Sequence, residues 1–321
     1  MEADGLARCE PYPDGGPEDC PFGEAHFPGE PGCALVGSAC PAGEWPEGLP
    51  DDGSVLFVRA GAVGGDGTRD APLGTVTDAA ARAGDGSIIA LAKGLHTYPA
   101  VVRRPVELRG ACAAETQLTS PEGIVALRIV QTDVRVRDLS IVDAGAPAIF
   151  VDGPDASAEL DGVVIARAQL GGVIAFEATV TGRSVLVSDT QGSPEGGGEA
   201  LASYEGSWIR LERVVLERNH EAGAVAWHPG SASHCAAPRC ATRGRSPACT
   251  ATAWLRGRAA GSSSSRACWW AATRPGRAPS APAATSSSRT SSCGTRRRRP
   301  TRARRASTST SARARSCRGC S

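Results

Sequence analysis

The chain has 321 residues, of which 41% are hydrophobic and 21% charged, and its formal net charge is +1. This total joins two unlike parts, because residues 1–228 contain all 34 acidic and 16 of the 35 basic residues, a net charge of −18, whereas residues 229–321 carry +19. The sequence lacks the run of about 20 apolar residues that a membrane-spanning helix needs, and its charge asymmetry excludes a single domain of uniform composition.

Residues 1–50 are rich in Pro, Gly and acidic residues and contain four irregularly spaced cysteines, Cys9, Cys20, Cys33 and Cys40. Because so polar a segment cannot form its own core, we expect two disulfides rather than a metal site, and hence an oxidising compartment. The spacing leaves the pairing open. The acidic start, MEADGLAR, lacks the basic and apolar regions of a signal peptide. We expect either a true start further upstream or an intracellular protein, and favour the first.

Residues 51–112 begin with a predicted strand at Ser54–Gly61, followed by a glycine-rich run and a short helix at Thr75–Ala83. We expect Thr75 to be the N-cap of this helix, with a face of small residues formed by Ala79, Ala80 and Ala83. Further strands are predicted at 87–92, 98–102 and 106–108.

The glycine-rich run Gly64-Gly65-Asp66-Gly67-Thr68 resembles the phosphate-binding loops of lipid kinases and NAD kinases. Such a loop should lead directly into a helix N-terminus, but six residues, Arg69–Gly74, intervene. Asp66 and Asp70 are two carboxylates, too few for a dedicated calcium site. We therefore interpret the glycines as turn residues.

The order strand, GGDGTRDAP, short helix, GDGSIIALAKGLHTY and VELRG resembles the N-terminal part of bacterial right-handed parallel β-helix proteins of the pectin-lyase-like superfamily. The resemblance covers about residues 55–227. It implies an all-β fold, a right-handed parallel β-helix (solenoid), with a short N-terminal helix that caps the first coil. With the change in composition after residue 228, we expect this solenoid to be truncated at its C-terminal end and prone to aggregation.

Residues 113–228 repeat as the coils of a solenoid should. Four segments align at intervals of 24, 22 and 29 residues, anchored at Val136, Leu160, Gly182 and Leu211. Two apolar columns, two positions apart, are predicted to point inward: Leu139, Val163, Val185 and Val214, then Ile141, Ile165, Val187 and Leu216. A second strand in each coil is predicted from Ala148, Val173, Ala200 and Ala224.

Two further columns alternate in charge from coil to coil. The first is Arg137, Asp161, Arg183 and Glu212, and the second is Asp143, Arg167, Asp189 and Arg218. Coils about 4.8 Å apart would place each charge between opposite charges, whereas a slipped register would bring like charges together. We predict that these ladders fix the register.

No column gathers several acidic residues without basic neighbours, as a polysaccharide lyase or glycosidase site would require. The remaining candidates are assigned to turns, strand flanks or plain surface: Lys93, Asp133, Asp138, Asp152, Asp155, and His220 with Glu217 and Glu221 nearby. Cys112 is interpreted as a small buried residue or as the partner of a cysteine missing from the C-terminal part. The sequence thus predicts no catalytic, cofactor-binding or metal-binding residue.

Residues 229–321 consist, apart from His234 and Leu255, of eight residue types only, namely Ser, Pro, Thr, Ala, Cys, Trp, Arg and Gly. Codons with C or G in the middle position encode this set, so we interpret the segment as the product of a shifted reading frame and expect it to be disordered. The alternatives are a nucleic-acid-binding arm through Arg296–Arg299 and a zinc site, for which Cys317 and Cys320 supply a single C-x-x-C. We favour neither, and expect no nucleic-acid partner.

These observations divide the chain into a Cys/Pro/Gly-rich segment (1–50), a cap and first coil (51–112), further coils (113–228) and a tail (229–321). We expect a noncatalytic extracellular or cell-envelope β-helix protein, a scaffold or a surface that binds polysaccharide or a cell-surface protein, without a cofactor. The alternative is a polysaccharide lyase or glycosidase whose site lies in missing C-terminal coils, an idea that depends on fold analogy.

Overall fold

The computed structural model describes Tyr12 and residues 18–97, 99–194, 196–236 and 255–256. In chain order the elements are β1 (Glu24–His26), β2 (Cys33–Leu35), β3 (Val55–Val58), α1 (Val76–Arg82), β4 (Ile88–Leu91), β5 (Gly94–His96), β6 (Ala100–Val102), β7 (Val106–Gly110), β8 (Thr116–Leu118), β9 (Leu127–Val130), β10 (Asp133–Val142), β11 (Ile149–Asp152), β12 (Ser157–Ala166), β13 (Gly171–Phe176), β14 (Thr179–Ser188), β15 (Glu199–Tyr204), β16 (Trp208–Glu217), β17 (Ala224–Ala226), β18 (Ala232–Ala236) and β19 (Leu255–Arg256). In this part of the chain α1 is the one helix, and the all-β prediction is confirmed.

Two parallel sheets wind into a solenoid of about six turns, which confirms the parallel β-helix. The longer sheet runs in the order β3, β4, β7, β10, β12, β14, β16 and β18, with β5 and β8 beside β10 and β19 antiparallel to β18. The shorter sheet runs β6, β9, β11, β13, β15 and β17. The repeat alignment found only the coils with ten-residue strands, because the strands of the earlier coils have three to five residues and too few positions to align.

The predicted inward columns form the core. In the longer sheet Leu139, Val163, Val185 and Val214 lie opposite one another, as do Ile141, Ile165, Val187 and Leu216. The first three members of each column are fully buried, and the fourth packs partly buried against the same core. In the shorter sheet the inward register is Ile149, Val173, Leu201 and Ala224, one residue later than predicted in two of the four coils.

The coils turn at corners where residues with side chains adopt positive φ. One corner stacks Asp143, Arg167, Asp189 and Arg218, with φ between 50° and 57°. Left-handed backbone is uncommon outside glycine, although Asp tolerates it better than most residues. Because these corner residues form the second predicted charge ladder, one column both turns the chain and pairs neighbouring coils.

Helix α1 covers the N-terminal end of the solenoid core. Thr75 is its N-cap, as predicted, and accepts a hydrogen bond from the amide of Asp78 at 3.0 Å while its hydroxyl donates to the Asp78 carboxylate at 2.8 Å. Val76, Ala79 and Ala83 are buried in the main core, and Ala80 packs against it. This reciprocal capping stabilises a helix of only seven residues.

Residues 18–40, which we call the strap, lie across the outer face of the longer sheet. The strap contains the antiparallel pair of β1 and β2. Its Phe27 is fully buried, and its apolar residues pack against Val164, Leu186 and Val215, which point out of the solenoid. At Gly37 an added Cβ would lie 2.8 Å from the Cα of Gly162, so two glycines allow the strap to touch the sheet.

Two disulfides involve the strap, one within it and one that attaches it to the solenoid, and they correct the expectations for the cysteines. Cys20 pairs with Cys33 inside the strap, whereas Cys40 pairs with Cys112, 72 residues away on the first coil. Cys112 is therefore neither an unpaired buried residue nor the partner of a missing cysteine. The expectation that the N-terminal cysteines pair only among themselves was wrong, because the strap folds onto the solenoid instead of standing alone. Cys9 lies outside the described residues.

The longer sheet continues beyond residue 228. β18 pairs in parallel with β16, and Trp208 lies opposite Ala232. Apart from residues 229–236 and 255–256, the predicted tail lies outside the described residues. Its expected disorder, its candidate arm Arg296–Arg299 and its Cys317–Cys320 pair therefore stay predictions.

Candidate binding face and neighbouring sites

The outer face of the shorter sheet carries a column of aromatic side chains. Phe176 lies opposite Tyr204, and the amide of Trp227 donates to the carbonyl of Ser203, which places Trp227 beside Tyr204 on the next coil. Phe176 and Trp227 are each 36% exposed, and Tyr204 is partly buried. A second outward column, two positions earlier on each strand, contains Phe150, Ile174, Ala202 and Val225. We call the outer face formed by these two columns the aromatic face.

Neighbouring coils lie about 4.8 Å apart, so the column from Phe176 to Trp227 spans about 10 Å. Such rings combine a large apolar area with edges that remain in water. An exposed apolar patch with polar surroundings marks an interaction site more often than plain surface. The aromatic face is therefore the leading candidate for a binding surface.

Charged groups lie around the aromatic face. At one end Arg128 donates to Asp152 at 2.6 Å, and its guanidinium lies 5.6 Å from the Phe150 ring centre. At the other end His228 Nδ1 lies 3.2 Å from Glu205, and the His228 ring is 6.1 Å from the Tyr204 ring. These groups add hydrogen-bond donors and acceptors beside the rings.

Glu199 is a buried carboxyl group at the edge of the aromatic face. Its residue is 6% exposed. Burial raises the pKa of Glu199, and the nearby charge of Glu221 raises that pKa further. Burial also raises the pKa of Tyr204, with smaller contributions from Glu199 and Glu221. Two carboxyl groups and a phenol thus influence one another at this edge.

His220 and its acidic neighbours do not form one site. His220 Nδ1 lies 3.2 Å from the carbonyl of Gly197, and Glu221 accepts a hydrogen bond from the amide of Gly197 at 2.7 Å. Both side chains therefore hold the turn near residue 197. Glu217 points instead toward the strap, on the longer sheet, where it pairs with Arg218 at 2.7 Å.

A groove of about 210 Å³ lies between the strap and the longer sheet. Glu217 lines it, and burial raises the pKa of this carboxyl although Arg218 opposes the shift. Asp189 also lines it, and its hydrogen bonds with Arg218 lower its pKa. The two carboxyl groups share the guanidinium of Arg218, a member of the second charge ladder.

Most other sequence candidates have structural roles. Asp66 accepts hydrogen bonds from the amide and hydroxyl of Thr68 at 2.9 and 2.8 Å, which lower its pKa and confirm the turn. Lys93 pairs with Glu115 at 2.7 Å and donates to the carbonyl of Pro41 at 2.6 Å. Asp155 and Asp70 are exposed in turns or bends.

Asp133 and Asp138, for which the repeats offered no partner column, both have partners. Asp133 accepts a hydrogen bond from Ser157 at 2.6 Å. Asp138 accepts one from the amide of Ser38 at 2.7 Å and so attaches the strap. No repeat pattern could predict that second contact, because its two residues lie 100 positions apart.

The charge ladders have the predicted register, and Glu212, at the end of the first ladder, pairs with Arg210 on its own strand at 3.3 Å. Asp143 and Arg167 make two hydrogen bonds at 2.7 and 2.8 Å, and Asp189 and Arg218 make two at 2.8 and 2.9 Å. The guanidinium groups lower the pKa of both aspartates. In the other ladder Arg183 makes two hydrogen bonds of 3.1 Å with Asp161.

The sequence contains a signal for the aromatic face. Phe176 and Trp227 each lie three residues after the predicted starts of their second strands, Val173 and Ala224, whereas Tyr204 lies four residues after Ala200. The three aromatic residues fall into one column only when the segment from Ala200 is moved by one residue, to the register Val173, Leu201 and Ala224 that the structure has.

Among the residues that the structure describes, the one group of at least three potential metal ligands within 4.8 Å of one another is Cys40, Cys112 and Glu115, and its two cysteines form a disulfide. Within the same residues no helix has the length and apolar character to cross a membrane. Comparison of the chain with protein-family models, with curated proteins and with solved structures found no match.

Proposed function

We propose that the protein is a noncatalytic β-helix that binds polysaccharide along the aromatic face, outside the cell or in the cell envelope. The observation that carries this proposal is the column of Phe176, Tyr204 and Trp227 on the outside of the shorter sheet. Sugar rings expose C–H groups on their faces and hydroxyl groups on their edges. A row of aromatic rings with charged groups beside it complements both kinds of group.

The electrostatics support binding rather than catalysis. In the corner ladder the hydrogen bonds of Asp143 and Asp189 with arginine lower the pKa of both carboxyl groups, which makes them weak bases. The extracellular location is supported by the two disulfides, because such bonds persist mainly in oxidising compartments. The right hand of the helix, the relation to bacterial pectin-lyase-like proteins and the four-part division of the chain belong to the same proposal and are supported by the sequence pattern.

The experiment is affinity electrophoresis and calorimetry with a panel of soluble neutral and charged polysaccharides. We expect at least one to bind, and Trp227→Ala to weaken binding about tenfold or more, because truncating an aromatic anchor commonly removes over 1.4 kcal/mol. Trp208→Ala is the matched control, since Trp208 is 47% exposed on the longer sheet. Equal losses in the two variants, or no binding across the panel, would refute the proposal.

A second candidate function is hydrolysis of the bound glycan, and Glu199 favours it. Burial and the charge of Glu221 raise the pKa of Glu199, and a raised carboxyl pKa is a property of general acids in glycoside hydrolysis. Release of reducing ends from a bound polysaccharide, abolished by Glu199→Gln and retained in Glu205→Gln, would support this candidate. Binding without any release of reducing ends would leave the noncatalytic proposal in place.

The interpretation of residues 229–321 as a shifted reading frame has its own test. Resequencing the gene around codon 228 and translating the neighbouring frame should give further coils with the inward apolar pattern. A next frame without strand periodicity contradicts the interpretation.

A further inference from the structure

One coil before its first member, Arg137, the column of the first charge ladder has a second arginine, so that like charges meet. Arg109 on β7 lies directly opposite Arg137 on β10, and on the other side of Arg109 the column continues to Ala90 on β4. From Arg137 onward the signs alternate through Asp161 and Arg183. Like charges on directly opposite positions destabilise a sheet, so this pair requires an explanation that the rest of the ladder does not.

The ion-pair contacts of Arg109 and Arg137 are with two carboxylates, Glu107 and Asp161. Glu107 binds Arg109 Nε at 2.5 Å and lies 3.8 Å from Arg137. Asp161 lies 3.6 Å from Arg137, but it already accepts two hydrogen bonds from Arg183. Three guanidinium groups thus share two carboxylates, and both contacts of Arg137 exceed hydrogen-bond distance.

Arg137 also has an unused donor. Its Nε is buried and has no hydrogen-bond partner in the described part of the chain. A buried donor of a charged group without a partner is costly. The Nε–H therefore lacks an acceptor among the described residues.

A cavity of about 180 Å³ lies beside both arginines, between the C-terminal end of the strap and the longer sheet. Its lining includes Arg109, Arg137 and Ser38. The two acidic residues of the lining are engaged or peripheral: Asp138 accepts the Ser38 amide at 2.7 Å, and Glu47 is exposed. The cavity has the volume of about six water molecules, enough for a carboxylate with a small organic group.

We propose that this cavity, with Arg109 and Arg137, is a binding site for a carboxylate. A planar guanidinium offers parallel N–H donors that match the two oxygens of a carboxylate. The ligand would occupy the position between the two like charges and accept the Arg137 Nε–H. An acidic sugar or a protein carboxylate carries this group. The proposal is independent of the aromatic face, which lies on the other sheet.

The test is calorimetry on the full chain with three probes: sodium glucuronate, N-acetylglutamate and the neutral glucuronamide. We expect saturable binding of at least one carboxylate and none of the amide. Arg137→Gln should weaken that binding about tenfold, the loss of one charge-assisted hydrogen bond. Arg135→Gln is the matched control, because Arg135 lies on the same strand, pairs with Glu159 at 3.0 Å and is not among the cavity residues.

The three probes distinguish the two sources of the carboxylate, an acidic sugar and a protein side chain or terminus. Binding of glucuronate alone indicates an acidic sugar, binding of N-acetylglutamate alone indicates a protein carboxylate, and binding of both indicates a site that reads the carboxylate itself. Failure of both carboxylates to bind, equal binding of the amide, or equal weakening in Arg135→Gln overturns the proposal. If Arg137→Gln does not fold, Arg109→Gln and the shift of the Arg137 Nε–H resonance in the wild-type protein decide in its place.

Discussion

Both sheets have apolar side chains on the outside of the solenoid, but these side chains differ in how far they are covered. On the longer sheet Val164, Leu186 and Val215 are covered by the strap and nearly buried. On the shorter sheet Phe176 and Trp227 remain exposed in the described structure. The covered residues therefore contribute to stability, whereas the open ones are available for recognition. An outward apolar column in a solenoid therefore either packs against a covering segment or forms a binding surface, and the presence of the covering segment distinguishes the two roles.

The largest expected effect comes from one phenylalanine on each face. Phe27→Ala should destabilise the protein by about 3–5 kcal/mol, because it empties a fully buried site and removes the ring that Arg213 contacts at 3.7 Å. Phe176→Ala should cost below about 1 kcal/mol, because its ring is partly in water. Denaturant unfolding of both variants measures the difference. Similar costs would show that the two faces are not distinct in the way described.

Removing the long-range disulfide should have the next largest effect. The double variant Cys40→Ser with Cys112→Ser should lose about 2–4 kcal/mol, because the bond closes a long loop in the unfolded chain. It should also loosen the strap, so that amide exchange near Phe27 accelerates while exchange on the shorter sheet is unchanged. Equal acceleration of amide exchange in both sheets would contradict a local effect of the strap.

The third prediction concerns pH and the interior itself. His96 is 3% exposed, in register with the buried Leu118, and burial lowers its pKa although Nε2 bonds the carbonyl of Ala92. The unfolded chain therefore binds a proton below about pH 6.5 that the folded chain does not. Stability should be constant above that pH and fall on acidification, by at most about 1.4 kcal/mol per pH unit from this group.

The matched variant is His96→Gln, which cannot titrate but can donate the same hydrogen bond. Unfolding free energies measured between pH 7.5 and 5.5 should lose most of their slope in this variant. An unchanged slope would assign the effect to other groups.

The smallest expected effect is in the corner ladder, which is exposed to water on the outside of the coils. A double-mutant cycle with Asp143→Asn and Arg167→Gln should give a coupling of about 0.2–1 kcal/mol, and 1 M salt should weaken it. Asp189 and Arg218, with the same geometry beside the strap groove, form the natural comparison. A coupling of zero in both pairs would remove the proposed role of these charges in setting register.

The predictable features are those that repeat. The inward columns and the alternating charges could be found because each coil repeats the same physical demand at the same position, as at Leu139 and Val163. The contacts of the strap could not be predicted in this way, because a contact such as that between Gly37 and Gly162 does not recur from coil to coil and leaves no periodic pattern in the sequence. The disulfide between Cys40 and Cys112 likewise occurs in a single coil, and the spacing of the cysteines in the sequence does not indicate this pairing. The like-charged pair of Arg109 and Arg137 was missed because the alignment began at Val134, beyond β7.

The strap also bears on the order of events during synthesis. Phe27 leaves the ribosome long before Arg213, the residue whose guanidinium bonds Glu30 at 2.6 and 3.1 Å. Arrays of coils usually gain stability one neighbour at a time, but here an early segment must wait until the coil near residue 213 has formed. A contact over 183 positions raises the mean sequence separation of contacts, which slows folding. Together with the Cys40–Cys112 disulfide it links the first coil, through the strap, to β16, and these elements should melt together.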